Sequence, residues 1–499
     1  MKRLSCALLA ALMLLPSLAA CSETPAPAET TDTTPLQITD TAPIETESTE
    51  TDRTQIEDSL PEDLSLDGRT VRIYVATRGE YDSFIMGSEA LAGDVVNEAV
   101  FDRNLNVQEQ LDFVLEATPF SDAYNTIANS VSKLILAADP TYDFFMGQQY
   151  GMTSLVPKNM FVNGYDLEYV NFEEPWWQND YMDELALGKD YRFLLVNDFN
   201  LSALHWVRLN YFNKKLYTDL YGDPEELYKE ALDGTWTMDR LNELVSGAYS
   251  DLNGDGVATV EDQLGFIAYK LYATTDPYVY GSNVQFTTRD ADGFIQLNMV
   301  SEAAVELNEK LNAFFHQTAV IHETPTDISA DVFKSGNALF LSGILGNGIT
   351  LRDMEDDFGF MPIPKSVPEQ ESYHSLVHDT AQLTGVSIAS QNLDIIGAVL
   401  EALGAESYRR VTPAYYESAM KLKYARDDIS SQVIDLIRDT MTTNFIYAYT
   451  TSLGDIGQVY RTLISGKMAG QYVSYVQPRE RKIQKQLETL IATFKGELQ

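Results

Sequence analysis

Between residues 69 and 146 the chain alternates between two incompatible side-chain periods, and this limits its fold more than any other feature. Arg69-Thr-Val-Arg-Ile-Tyr-Val-Ala76 is a compact β-branched run and predicts a strand. Asp94 stands at an N-cap position ahead of Val96, Val100, Val107 and Leu111, which share one helical stripe. Residues 113–117 predict a second strand. Ile127, Val131, Leu134, Ile135 and Ala138 predict a second helix face, and residues 142–146 a third strand announced by Asp139-Pro140. The order β-α-β-α-β requires parallel strands and right-handed crossovers, the opening of a doubly wound α/β unit. In such sheets a ligand sits outside the carboxyl ends of the strands. Those ends lead into Arg78-Gly79-Glu80-Tyr81, Thr118-Pro119-Phe120 and Gly147-Gln148-Gln149-Tyr150. Glu80, Tyr81, Gln148, Gln149 and Tyr150 are therefore candidate ligand contacts.

The chain has 499 residues, room for two or three domains. The first unit covers residues 61–174. From about 175 the texture changes, with Trp176, Trp177, Trp206 and Trp236 falling close together, so a second lobe is expected over 175–335. Within it, residues 192–196, 207–212 and 266–269 predict strands. Residues 237–248 predict a helix with Leu241, Leu244 and Val245 inward. Two further strands, at 337–342 and 358–364, are expected to return to the first lobe over 336–385. The remainder, 386–499, reads as helical and packed on the lobes. Near its end Ile483, Leu487, Leu490, Ile491 and Phe494 share one face.

The N-terminus reads as an address. Lys2 and Arg3 precede an apolar run over 4–15, too short to span a bilayer and typical of a signal peptide, here residues 1–20. Leu18-Ala19-Ala20-Cys21 resembles the bacterial lipobox, which predicts lipidation of Cys21 and a soluble body held at the extracellular face of the cell membrane. Residues 21–60, rich in Thr, Glu, Asp and Pro, have the composition of a solvated tether. Cys6 and Cys21 are the only cysteines, which excludes a disulfide scaffold and a cysteine nucleophile in the body. The formal charge of −39 argues against nucleic-acid binding.

Asp251-Leu-Asn253-Gly-Asp255-Gly256-Val257-Ala-Thr259-Val-Glu261-Asp262 has the spacing of a calcium loop. Asp251, Asn253, Asp255 and Asp262 would give side-chain oxygens, Val257 a carbonyl and Thr259 a further oxygen. The last position holds Asp where a longer Glu would reach the ion with both oxygens. Calcium, if held there, is expected to be structural.

Around this loop the sequence resembles a family. Thr235-Trp236-Thr237-Met238-Asp239, the loop itself and Gln263-Leu-Gly-Phe266 are similar to the bacterial extracellular solute-binding proteins of ABC importers, of the maltose-binding-like type. Asp94-Val-Val-Asn-Glu-Ala-Val-Phe-Asp-Arg-Asn104 resembles their first helix, and Glu174-Pro-Trp-Trp177 and Tyr211-Phe-Asn-Lys214 the opening of their second lobe. Phe358-Gly-Phe-Met-Pro-Ile-Pro-Lys365, Ala405-Glu-Ser-Tyr-Arg409 and Pro413-Ala-Tyr-Tyr416 resemble later segments. The resemblance spans about residues 65–495. It implies two α/β lobes of the class II periplasmic-binding-protein type, joined by hinge segments and closing on a small solute that an ABC permease then receives. A monomer and a sugar or oligosaccharide are expected. Sugar faces suit aromatic platforms, which adds Trp176, Trp177 and Trp206 to Tyr150. Asn200 and Ser342 are polar candidates. The rival reading is a secreted carbohydrate-active enzyme. No nucleophile elbow or phosphate loop supports an enzyme, and His374 and His378 lack a zincin glutamate.

Overall fold

The structure, a computed structural model, describes residues 53–76, 82–88, 94–120, 126–324, 328–420 and 428–497. Cys21, the signal segment, most of the tether, Glu80 and Tyr81 lie outside these residues.

The first sheet forms as its periodicity dictates. Strands β1 (Arg69–Ala76), β2 (Phe113–Phe120) and β3 (Phe144–Gln148) pair in parallel, with β1 between the other two. Helix α1 (Val95–Leu111) follows β1 and helix α2 (Ile127–Leu136) follows β2. Asp94 caps α1 by accepting the N–H groups of Val96 and Asn97, each at 3.0 Å. Val96, Val100, Val107 and Leu111 are buried, as are Ile127, Val131 and Ile135 on α2. Ala138 falls beyond α2 with φ of 52°, so the predicted helix ends two residues early.

The second sheet has the order β8-β4-β7-β5-β6, formed by β4 (Arg208–Asn213), β5 (Leu264–Ile267), β6 (Val320–Ile321), β7 (Ala338–Ile344) and β8 (Phe358–Met361). Strand β7 runs antiparallel to β4 and parallel to β5, while β8 pairs antiparallel with the other edge of β4. The expected return to the first lobe at 336–385 is thus corrected: β7 and β8 belong to the second sheet. Both are buried throughout, so their alternation carries no sign of which sheet they join. The return comes at β9 (Gln382–Val386), antiparallel to β3. The strand expected at 192–196 is a single bridge, Leu195 to Thr384 on β9. The second sheet begins at Arg208, well after the boundary expected at 175.

Helix α3 (Met238–Ala248) is capped by Thr237, whose hydroxyl accepts from Arg240, and buries Leu241, Leu244 and Val245. Helix α4 (Leu271–Tyr280) follows β5. After β9 come α5 (Leu393–Glu406), α6 (Asp428–Asp439), α7 (Val459–Ser465) and α8 (Tyr472–Phe494), the last burying Ile483, Leu487, Leu490 and Phe494. The segments that pass between the sheets meet in a ribbon. Val207 bridges Val377 antiparallel, and Ser375–Leu376 pairs in parallel with Met441–Thr442. No helix among the described residues is long and apolar enough to cross a membrane.

Candidate functional site

A cavity of about 640 Å³ opens where both sheets present their strand ends. From the first sheet it is lined by Tyr150, just past β3, and by His378, Asp379 and Thr380, just before β9. From the second come Arg208 at the start of β4, Tyr269 past β5, and Leu341 to Ile344 at the end of β7, with Asn347 beyond. Arg208 pairs with Ile344 in the sheet register, so these groups share one edge. Gln458 and Arg461 close a further side.

Trp206 is half-buried and lies in both the ribbon and the cavity wall. Its carbonyl accepts the His378 N–H at 3.1 Å, and its ring lies 5.4 Å from the His378 ring at 30°. His378 Nδ1 stands 2.9 Å from Thr380 Oγ1 and 3.2 Å from Asp379 Oδ1. The Tyr447 hydroxyl accepts the Asp379 N–H at 3.1 Å. Behind the opposite wall Asp276 on α4 is buried and takes the Arg461 guanidinium, with Nε at 2.8 Å from Oδ1 and 3.1 Å from Oδ2. Burial pushes the Asp276 carboxyl up, while the Arg461 and Arg208 guanidinium groups favour its charged form. Burial also pushes His205, whose ring lies 5.5 Å from that of Trp206, down to about 4, so it is neutral at physiological pH. Aromatic faces beside paired charges and amides can hold a flat, hydroxyl-rich molecule by stacking and fixed hydrogen bonds.

Of the residues picked from sequence, Tyr150, Trp206 and Ser342 line this cavity. Trp176 and Trp177 do not. They are core side chains whose indole N–H groups both donate to Glu401, at 3.1 and 2.9 Å. Gln149 is fully buried and accepts from Tyr181 at 2.8 Å. Gln148 is buried on β3. Asn200 is buried, donating to Gln382 at 3.2 Å. Sequence reasoning missed Arg208, Tyr269, Asp276, Asp379 and Arg461.

The loop over 251–262 turns on Gly254 and Gly256, with φ of 75° and 76°. Asp251 accepts the N–H groups of Gly254 and Gly256 at 2.7 and 2.9 Å, and Asp255 that of Val257 at 2.7 Å. Asp262 accepts from Thr259 at 2.8 Å and Leu252 at 3.1 Å, and these bonds pull its carboxyl down. Among the described residues no group of three or more His, Cys, Asp or Glu side chains gathers to hold a metal. The carboxylates here serve the loop's own backbone, and calcium keeps only the support of the sequence spacing.

No protein-family model matches the chain, and no curated protein matches it in sequence. Solved structures do. A cyclo/maltodextrin-binding protein complexed with maltotetraose aligns over 83% of this chain and 97% of its own, at 11% identity and a TM-score of 0.56. An ABC transporter solute-binding protein from Thermotoga lettingae, bound with alpha-D-tagatose, aligns over 84% of this chain and 100% of its own, at 12% identity and a TM-score of 0.52. The fold is that of the ABC solute-binding proteins. In this two-lobe α/β fold the sheets β9-β3-β1-β2 and β8-β4-β7-β5-β6 are the lobes, and the ribbon at Val207, Val377 and Met441 joins them.

Proposed function

We propose that the chain is the solute-binding subunit of an ABC importer and that it captures a sugar or short oligosaccharide between its lobes. The observation that carries this is the cavity at the facing strand ends, where Trp206, Tyr150 and Tyr269 stand beside Arg208, Asn347 and Asp379. Its volume lies in the range of small-molecule sites. Among the described lining residues Asp379 is the one carboxylate, whereas glycoside hydrolysis in its usual form needs a pair. This favours capture over turnover.

A thermal-shift screen with neutral mono- and oligosaccharides tests the reading. A true ligand at 100 times its dissociation constant adds about 2.7 kcal/mol of stability. It should also change tryptophan fluorescence through Trp206, and Trp206→Ala should lose both effects while unfolding as cooperatively as wild type. Hydrolysis of an oligosaccharide by the purified protein, or a complete screen without a shift, would overturn it.

The proposal includes an anchor. Cys21 carries a lipid that holds the body beside a permease, a reading supported by Leu18-Ala19-Ala20-Cys21. Mass spectrometry of membrane-extracted protein should find a diacylglyceryl adduct on an N-terminal Cys21. Unchanged cleavage after Ala20 in Cys21→Ala protein would refute it.

A further inference from the structure

We propose that Asp276 sets the charge selectivity of the cleft: its buried carboxylate cancels a cation of the lining wall, so that the site admits uncharged solutes and rejects anionic ones. This rests on reading the cavity as a solute site.

Arg208 and Arg461 both line the cavity, and Asp276 stands behind them. Asp276 is 2% exposed and receives Nε and Nη2 of Arg461 in a forked pair. Arg208 is close enough to favour its ionised form. Burying a carboxylate is costly until pairing offsets it. Packing alone gives no reason for an acid at this position on α4. Its effect on the cleft does give one. Two guanidinium groups on a sheltered wall form an anion trap, since charge-assisted bonds to carboxylate, sulfate or phosphate are about twice as strong as neutral ones. Asp276 offsets one of these charges from behind, and Asp379 places a second negative charge in the lining. Two guanidinium groups, Arg208 and Arg461, are thus set against two carboxylates, Asp276 and Asp379. Charge pairs that are already matched still give directed N–H donors and oxygen acceptors to hydroxyl groups.

The probes are inorganic sulfate and D-glucuronate, titrated into the full chain at low salt and followed by tryptophan fluorescence and calorimetry. Wild type is expected to show no saturable response to millimolar anion. Asp276→Asn keeps the shape and removes the charge. It should gain at least about tenfold in sulfate affinity, the scale of one charged hydrogen bond. Adding Arg461→Gln should erase that gain. If Asp276→Asn does not fold, Asp379→Asn shifts the same balance at a more exposed position and should gain sulfate affinity too. Saturable anion binding by wild type that Arg461→Gln abolishes would overturn the proposal, as would a folded variant without gain. A wild-type protein that answers no neutral sugar defeats the sugar reading instead, and the anion titration still reports the charge of the cleft.

Discussion

Asp198→Ala should cost about 3–5 kcal/mol of folding stability, the range for breaking a buried ion pair from one side. Asp198 accepts Arg438 Nη2 at 2.9 Å on each oxygen, Thr412 Oγ1 at 3.0 Å and Gln178 Nε2 at 3.3 Å. Arg438 is 3% exposed, lies 4.8 Å from the Tyr408 ring and donates to the Pro175 carbonyl at 2.8 Å. Removing Asp198 strands this cation among apolar groups, with only the outer carboxylate of Asp439 beside it. The double variant Asp198→Leu/Arg438→Met removes both charges and should recover much of the loss. Denaturant unfolding of the two variants checks this. A loss below about 1 kcal/mol in the single variant would contradict it.

Glu401 should make the protein less stable as pH rises from mildly acidic to neutral. Burial pushes its carboxyl up to about 7 from an ordinary 4.5, against donation from Trp177, Asn171 and Trp176. The folded state therefore holds this proton in a window where the unfolded chain has released it. Stability from this group is complete below about pH 4.5 and is lost as pH climbs through about 7. The full swing is on the order of 3 kcal/mol. Other acids contribute slopes of their own, so the measurement is the difference between wild type and Glu401→Gln across the window. That difference should fall in wild type's disfavour as pH rises. Parallel pH profiles would refute the assignment.

Both sites show how far the sequence could be read. The β1-α1-β2-α2-β3 unit was legible because period-2 and period-3.6 patterns alternate there and Asp94 marks a helix start. Strands β7 and β8 were legible as strands, but not as members of the second sheet. An apolar run buried on both faces records its burial and not its neighbour. Trp176 and Trp177 were read as sugar platforms, because Glu401, which holds both in the core, lies far along the chain and nothing near them names it. The cleft was legible at Tyr150 on the first-sheet rim, at Trp206 and at Ser342 on β7. Arg208, Asp276, Asp379 and Arg461 meet only through tertiary folding, and each alone looks like an ordinary charge in an acidic chain.

The ribbon that joins Val207, Val377 and Met441 carries Trp206 and His378 on its flank. In any swing of the lobes about this ribbon, atoms beside the axis travel least. In the proposed capture the indole and the imidazole, tilted 30° to each other, would form a stationary post, and the groups hung on the outer strand ends a moving jaw. A solute entering an open form of the protein would then meet its first wall already built. It would need only to draw the other side inward, because the ordering cost of the post was met when the chain folded.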